Sequence, residues 1–150
     1  MSKQKILSLE DMPADAKELL IAARDVANNA YNRYSGFYVG AAVRTKSGAI
    51  YTGANLENAS YGLTLCAEPT AIAAANSKGD FNIVSIAISG GFKNNEKDCP
   101  PVTPCGRCRQ LIFEASRISE TNITVYCSNL ELTNILETSI EDLLPYAFFL

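Results

Sequence analysis

The chain has 150 residues, 47% hydrophobic and 19% charged, which fits one globular domain and excludes a disordered chain. Its net charge of −3 offers no basic footprint for a nucleic-acid backbone, and no apolar run reaches the ~18 residues of a membrane span. There is no histidine, so every mechanism that needs an imidazole is excluded, the Ser-His and Cys-His nucleophilic systems among them.

The opening MSKQKILSLEDMPAD has only Ile6 and Leu7 as a compact apolar pair, too short for a secretory leader, so a cytoplasmic location is expected. Residues 14–30 predict an amphipathic helix, with Leu19, Leu20, Ala23, Val26, Ala27 and Ala30 at helical spacing after Asp11 and Pro13. Residues 31–36 form a turn region. Residues 37–45 and 49–55 predict a hairpin that turns at Lys46-Ser47-Gly48. A polar loop over 55–65 carries Asn55, Glu57, Asn58 and Ser60. An alanine-rich helix is predicted over 66–77, and Pro69 is compatible with it because it falls in the first turn. Residues 83–89 (IVSIAIS) predict a buried strand, 90–104 a polar loop, 105–116 a second short helix and 123–127 another strand. An apolar, aromatic tail closes the chain over 141–150. Strands alternating with helices after an initial hairpin predict a single α/β domain over 1–150, a layered sheet with helices on both faces.

The five cysteines stand at 66, 99, 105, 108 and 127. An odd number in an expected cytoplasmic protein argues against a disulfide framework. The pieces that carry chemistry are Cys66-Ala67-Glu68 and Pro104-Cys105-Gly106-Arg107-Cys108. A Cys-x-x-Cys by itself fits a redox pair, half of a structural zinc site, or buried thiols at a helix start. A third cysteine at the start of another predicted helix favours a metal. Three thiolates converging from two helix N-termini would be stabilised by both dipoles and would leave a zinc ion one open position, as catalytic zinc requires. Cys99 could instead close a four-cysteine structural site, and Cys127 reads as core. Glu68 is either a proton carrier beside the metal or a carboxylate that favours a helix N-terminus. Asn55 and Glu57 are either ordinary loop polarity or an amide and a carboxylate that grip one hydroxyl as donor and acceptor.

Four runs resemble one family: Tyr34-Ser35-x-Phe37-x-Val39-Gly40-Ala41-Ala42, Gly53-x-Asn55-x-Glu57-Asn58-Ala59-Ser60-Tyr61, Cys66-Ala67-Glu68, and Pro104-Cys105-Gly106-x-Cys108-Arg109-Gln110. They are similar to the zinc-dependent cytidine deaminases in their homotetrameric branch, and the tail from Leu143 to Phe148 is similar to that family's end. The resemblance implies Zn2+ on Cys66, Cys105 and Cys108. It implies hydrolytic deamination of cytidine and deoxycytidine to the uridine forms, in pyrimidine salvage. Zinc would lower the pKa of a bound water for attack at C4, and Glu68 would carry the protons. The resemblance also implies that Asn55 and Glu57 hold the ribose 3′-hydroxyl and that Phe37 lies against the nucleoside. Ala67 would offer its backbone carbonyl to the exocyclic amine, and Phe148 would reach the base from a neighbouring subunit. The implied partners are a small pyrimidine nucleoside and further copies of the chain in a homotetramer, with no nucleic acid and no membrane.

One position departs from the pattern. Pro69 stands where close relatives carry an arginine that hydrogen-bonds to the ligand sulfurs. Three thiolates bear one more negative charge than zinc neutralises, and a nearby cation withdraws that excess. Arg107, between Cys105 and Cys108, is expected to replace the missing cation by donating to Cys66 or Cys105, or else to be a solvated charge on a short helix. Loss of bulk at Pro69 is expected to widen tolerance of 4-substituted pyrimidine nucleosides. The Cys-Gly-Arg-Cys-Arg-Gln run is similar to that of blasticidin deaminases, although Asn55 and Glu57 argue for a ribose-bearing substrate. A non-catalytic zinc-binding scaffold of the same fold is the alternative from another class. Glu68 argues against it, because a closed structural site has no use for that carboxylate.

Overall fold

The computed structural model describes residues 5–94 and 98–150. Its elements in chain order are β1 (Ile6–Leu7), α1 (Ala14–Ala27), β2 (Tyr38–Thr45), β3 (Ile50–Ala54), α2 (Ala67–Ser77), β4 (Ile83–Gly91), α3 (Gly106–Ser119), β5 (Thr124–Asn129), β6 (Ile135–Ser139) and α4 (Ile140–Leu143). Short 3₁₀ turns stand at Leu9–Asp11 and Tyr61–Leu63. The strands form one six-stranded sheet in the order β1-β6-β5-β4-β2-β3. Only β4 and β5 run parallel; the other pairs are antiparallel. A parallel pair needs a crossover, and α3 supplies it.

Period-two alternation sends the strand side chains to two separate cores. On one face Ala42, Ala87, Tyr126 and Ile135 meet Ala16, Leu19, Leu20 and Ala23 of α1. On the other, Ala41, Val43, Ile86, Ile88, Val125, Cys127 and Leu136 meet Ala67, Ala71, Ile72 and Ala75 of α2 and Ile112 and Ala115 of α3. The expected α/β sheet with helices on both faces is therefore the fold observed, with α1 alone on its side. No helix among the described residues is long and apolar enough to cross a membrane.

Close helix-to-sheet approach requires glycine at two points. A Cβ on Gly40 would strike the Ala23 carbonyl and the Ala27 amide of α1. A Cβ on Gly53 would strike the Ala71 amide and lie 2.8 Å from the Ala67 carbonyl, so β3 and the first turn of α2 are in backbone contact.

The hairpin turn is fastened to the far ends of α2 and α3. Lys46 Nζ donates to the Ser119 carbonyl at the end of α3, 2.6 Å away. Asp80, just past α2, accepts on Oδ2 from Thr45 Oγ1 (2.8 Å), Ser47 Oγ (2.7 Å) and Tyr51 OH (3.0 Å).

Several boundaries differ from the sequence expectation. The helix expected over 14–30 stops at Ala27, where Asn28 turns its side-chain amide back to the Asp25 carbonyl and the Tyr31 amide pairs with the Asn55 carbonyl. The helix expected over 105–116 continues to Ser119. Strands β1 and β6 and the short α4 have no counterpart in the predicted elements; β6 reads Ile-Leu-Glu-Thr-Ser, too polar to announce itself as a strand.

Candidate active site

Helices α2 and α3 on the second face both begin on a cysteine. Cys66 is the N-cap of α2 and Cys105 the N-cap of α3, each extended in φ and ψ, and Cys108 follows one turn into α3. Their sulfurs lie within 4.8 Å of one another. Cys105 and Cys108 are 3.6 Å apart. Cys105 is exposed, Cys66 half-buried and Cys108 buried. The free amides at the start of each helix place two positive dipole ends at the cluster.

The donor set fits zinc. Tetrahedral zinc with ~2.3 Å bonds to sulfur separates neighbouring sulfurs by ~3.8 Å, close to the spacing of Cys105 and Cys108. The proton affinities point the same way. The Cys66 thiol is drawn down to about 6, chiefly because the Cys108 thiol donates toward its sulfur. Cys108 is pushed up, because ionising it loses that hydrogen bond, burial opposes its charge and anions stand beside it. Two or three adjacent thiolates are stable only with a cation among them. Cys99 does not join the group; its carbonyl accepts from Asn134 Nδ2 instead. Cys127 is fully buried in the core beneath α2 and α3, and burial raises its thiol to about 12.

A cavity of about 320 Å³ opens onto Cys66 and Cys105. Cys66, Ala67, Glu68 and Cys105 form one end; Ser35, Phe37, Val39, Asn55 and Glu57 line another part. Its size suits a small organic molecule, for which sites of roughly 300–1,000 Å³ are usual. Among the described residues the lining holds two carboxylates and neither lysine nor arginine.

Glu68 is 4% exposed, and burial raises its carboxyl above the usual range. It sits on the first turn of α2, two residues from Cys66. Pro69 lies in the same turn, where its missing amide costs no helical hydrogen bond. Ala67 is buried on the cavity wall, with its carbonyl against Gly53.

Asn55 and Glu57 do face the cavity, and both already have protein partners. Asn55 Oδ1 accepts from the Val39 amide (2.9 Å) and its Nδ2 donates to the Phe37 carbonyl (3.0 Å). Each group keeps one further hydrogen-bonding position. Glu57 Oε1 accepts from the amides of Tyr34 and Ser35, both at 3.0 Å. The Ser35 hydroxyl and amide, with the Tyr34 amide, hold the carboxyl below its usual range. Phe37 packs its ring edge-on against Phe92, with centroids 4.9 Å apart.

Arg107 is exposed and makes no hydrogen bond to a sulfur among the described residues; its positive charge lowers the Cys66 thiol through space. Arg109 instead binds backbone, donating to the carbonyls of Pro104 (2.8 Å) and Leu143 (3.0 Å). Phe148 lies outside the cavity of its own chain. It is 68% exposed, and its carbonyl accepts from Gln110 Nε2 while Phe149 packs against Phe113 and under Arg117.

Sequence reasoning did not single out Ser35, Thr64, Leu65, Val102 or Thr103, all on the cavity wall. Ser35 stood inside a family run but carried no role; the others come from loops whose path no local pattern specifies.

Residues 13–125 match the zinc-binding region of cytidine and deoxycytidylate deaminases. The chain is 42% identical to a cytidine deaminase of Halalkalibacterium halodurans over 134 residues, which is 89% of this chain and 94% of that one. It is 38% identical to a cytidine deaminase of Sporosarcina psychrophila, over 89% of this chain and 91% of the other. Among solved structures, a cytidine deaminase from Burkholderia pseudomallei superposes with a TM-score of 0.77 at 38% identity, covering 91% of this chain and all of its own. One from Mycobacterium tuberculosis gives a TM-score of 0.72 at 34% identity, covering 92% of this chain and all of its own.

Proposed function

From the premise that the chain belongs to the cytidine and deoxycytidylate deaminase family, we propose that it hydrolyses the 4-amino group of cytidine and deoxycytidine to give the uridine forms and ammonia. The observation that carries this reading is a buried carboxylate, Glu68, on the wall of a nucleoside-sized cavity whose end is the three-sulfur cluster. Cys66, Cys105 and Cys108 would hold zinc, which when bound would supply the Lewis acidity that makes water a nucleophile near neutral pH.

The reaction forms a bond from water oxygen to C4 of the pyrimidine and breaks the C4–N4 bond. Two protons must travel, one to ring N3 and one to the departing amine. Glu68 takes them in turn from the water and delivers them. Its raised proton affinity suits this, since a carrier works best when its pKa approaches the working pH. The backbone at Ala67 and the ring of Phe37 confine the base. Asn55 and Glu57 use their remaining hydrogen-bonding capacity on the ribose 3′-hydroxyl.

The lining also selects the substrate class. Two carboxylates without a cation disfavour a phosphate, so the substrate is the free nucleoside rather than its monophosphate. Arg107 offsets part of the excess thiolate charge from outside the cluster, in the place of the cation that Pro69 removes. The working form is a homotetramer that acts in pyrimidine salvage in the cytoplasm. The exposed aromatic tail, with Phe148 bare of contacts to its own cavity, supports assembly in which Phe148 reaches a neighbour's site.

Incubating the zinc-loaded protein with cytidine and following ultraviolet absorbance tests the reading. A fall of about 10²–10⁴-fold in kcat for Glu68→Ala, with zinc retained, is expected. Zinc binding without turnover of any cytosine nucleoside would leave a scaffold of the same fold.

A further inference from the structure

Arg109 stands one residue past the buried ligand Cys108 and is itself half-buried. Its Nε donates to the Pro104 carbonyl at 2.8 Å and its Nη1 to the Leu143 carbonyl at 3.0 Å. Both acceptors need a partner from outside their own element. Pro104 is buried and precedes the N-cap of α3, so its carbonyl lies outside the helical ladder. Leu143 is the last residue of α4, where carbonyls lack a partner within the helix. A guanidinium is planar and rigid, so two donors of one fork hold two acceptors in a fixed relation. Arg109 thus ties the chain entering α3 to the end of α4.

The tie bears on one ligand above the others. Cys108 is buried within α3, and the carbonyl of Cys66 is held by Thr70 Oγ1 at 2.9 Å. Cys105 is exposed, and as the N-cap its direction follows the path of the loop between β4 and α3. That loop is fastened in turn by Asn134 Nδ2 on the Cys99 carbonyl, by the Val102 amide on the Ser128 carbonyl (3.3 Å) and, directly before the ligand, by Arg109 on Pro104. The Arg109 amide closes the same turn on the Cys105 carbonyl at 2.9 Å.

We propose that Arg109 is a positioning residue for the metal site: by pinning the Pro104 carbonyl to the end of α4 it keeps the exposed Cys105 sulfur at its spacing from Cys108, so that zinc retention depends on this one side chain. The inference rests on the reading of the three cysteines as zinc donors. It adds a residue that acts on the metal through backbone.

The test follows transfer of zinc from the loaded full chain to an excess of a chromophoric chelator, with no substrate present. Arg109→Met keeps the length of the stem and removes every donor. It is expected to release zinc about 10-fold faster, the effect usual when the support behind a metal ligand is lost. Arg109→Lys offers a point donor that satisfies one carbonyl and not both, so its rate should fall between the two. The visible bands of the Co2+-loaded chain, which report tetrahedral geometry, should shift in Arg109→Met. Asp80→Asn loosens the opposite end of the helices and should leave both the release rate and the bands as in the parent chain, which separates positioning from a general loss of stability. A parental release rate in Arg109→Met overturns the proposal. So does an acceleration in Asp80→Asn that matches it. Should Arg109→Met not fold, Arg109→Lys decides, and a parental rate there overturns the proposal equally. A parent chain that takes up no zinc is a separate result, which removes the metal reading and this inference with it.

Discussion

The sulfurs of Cys105 and Cys108 lie 3.6 Å apart across the first turn of α3, already near the spacing that a shared tetrahedral ion imposes. With Cys66 they make a site in which charge, not geometry, is the obstacle to assembly. The prediction is one zinc per chain by elemental analysis. Removing it with a chelator should lower Tm by about 5–10 °C, the loss expected when a ligand bound at ~100 times its Kd is withdrawn. Cys108→Ser, which replaces a buried soft donor by a hard one, should abolish zinc retention through gel filtration.

Arg107 is proposed to act on the cluster from outside it. Exposed charge works through a screened field, so its effect should depend on salt as a hydrogen bond to sulfur would not. Arg107→Ala is predicted to lower kcat/KM for cytidine several-fold at low ionic strength. The loss should shrink toward wild type near 1 M salt, where the screening length is ~3 Å. A loss independent of salt would point to a direct contact. Measuring turnover of 4-substituted cytidines on the same samples checks whether the space opened at Pro69 admits them.

Asp80 gives the fold an acid limit far from the zinc ligands. Hydroxyls of Ser47, Thr45 and Tyr51 hold its carboxyl below the usual range. A depressed folded-state pKa contributes stability that is present above the unfolded value of about 3.9 and is lost as pH falls through the folded value. Tyr51 is shifted the other way, first by burial and then by Asp80. Its contribution is present below the unfolded value of about 10 and is lost as pH rises through the folded one. Denaturant unfolding followed against pH should show a plateau between these limits. Asp80→Asn should lower Tm by a few degrees at neutral pH and flatten the acid limb.

The C-terminal segment presents Tyr146, Phe148, Phe149 and Leu150 at more than half exposure, and Tyr61 and Leu63 are exposed as well. A chain of 16.2 kDa that exposes this much apolar surface should not be monomeric. Light scattering on eluting protein is expected to give the mass of four chains. A chain ending at Pro145 should give a smaller species, with reduced activity as the proposed reach of Phe148 into a neighbour's site requires.

What the sequence determined by itself was local. The absence of histidine is a property of composition, and the placing of Cys66 and Cys105 at predicted helix starts and the strand-like runs over 37–45 and 83–89 are properties of neighbours along the chain. They carried the fold class and the candidate cysteines, because periodicity and capping act over a few residues; the choice of zinc on three of those cysteines, and the part given to Glu68, came from the family resemblance. Tertiary structure alone decided the rest. Strand β6 became a strand because β5 and β1 pair with it on either side, and its own composition does not ask for one. Gly53 has its meaning only because α2 lies on it. Arg107 and Phe148, given contacts by analogy along the sequence, are placed by helix α3 and by the path of the tail, so one faces solvent and the other leaves its own cavity. Ser35 was a turn residue until residues 34–37 and 55–57 came together in space. Such contacts join segments about twenty residues apart, and no local pattern encodes them; only closure of the sheet under the helices does.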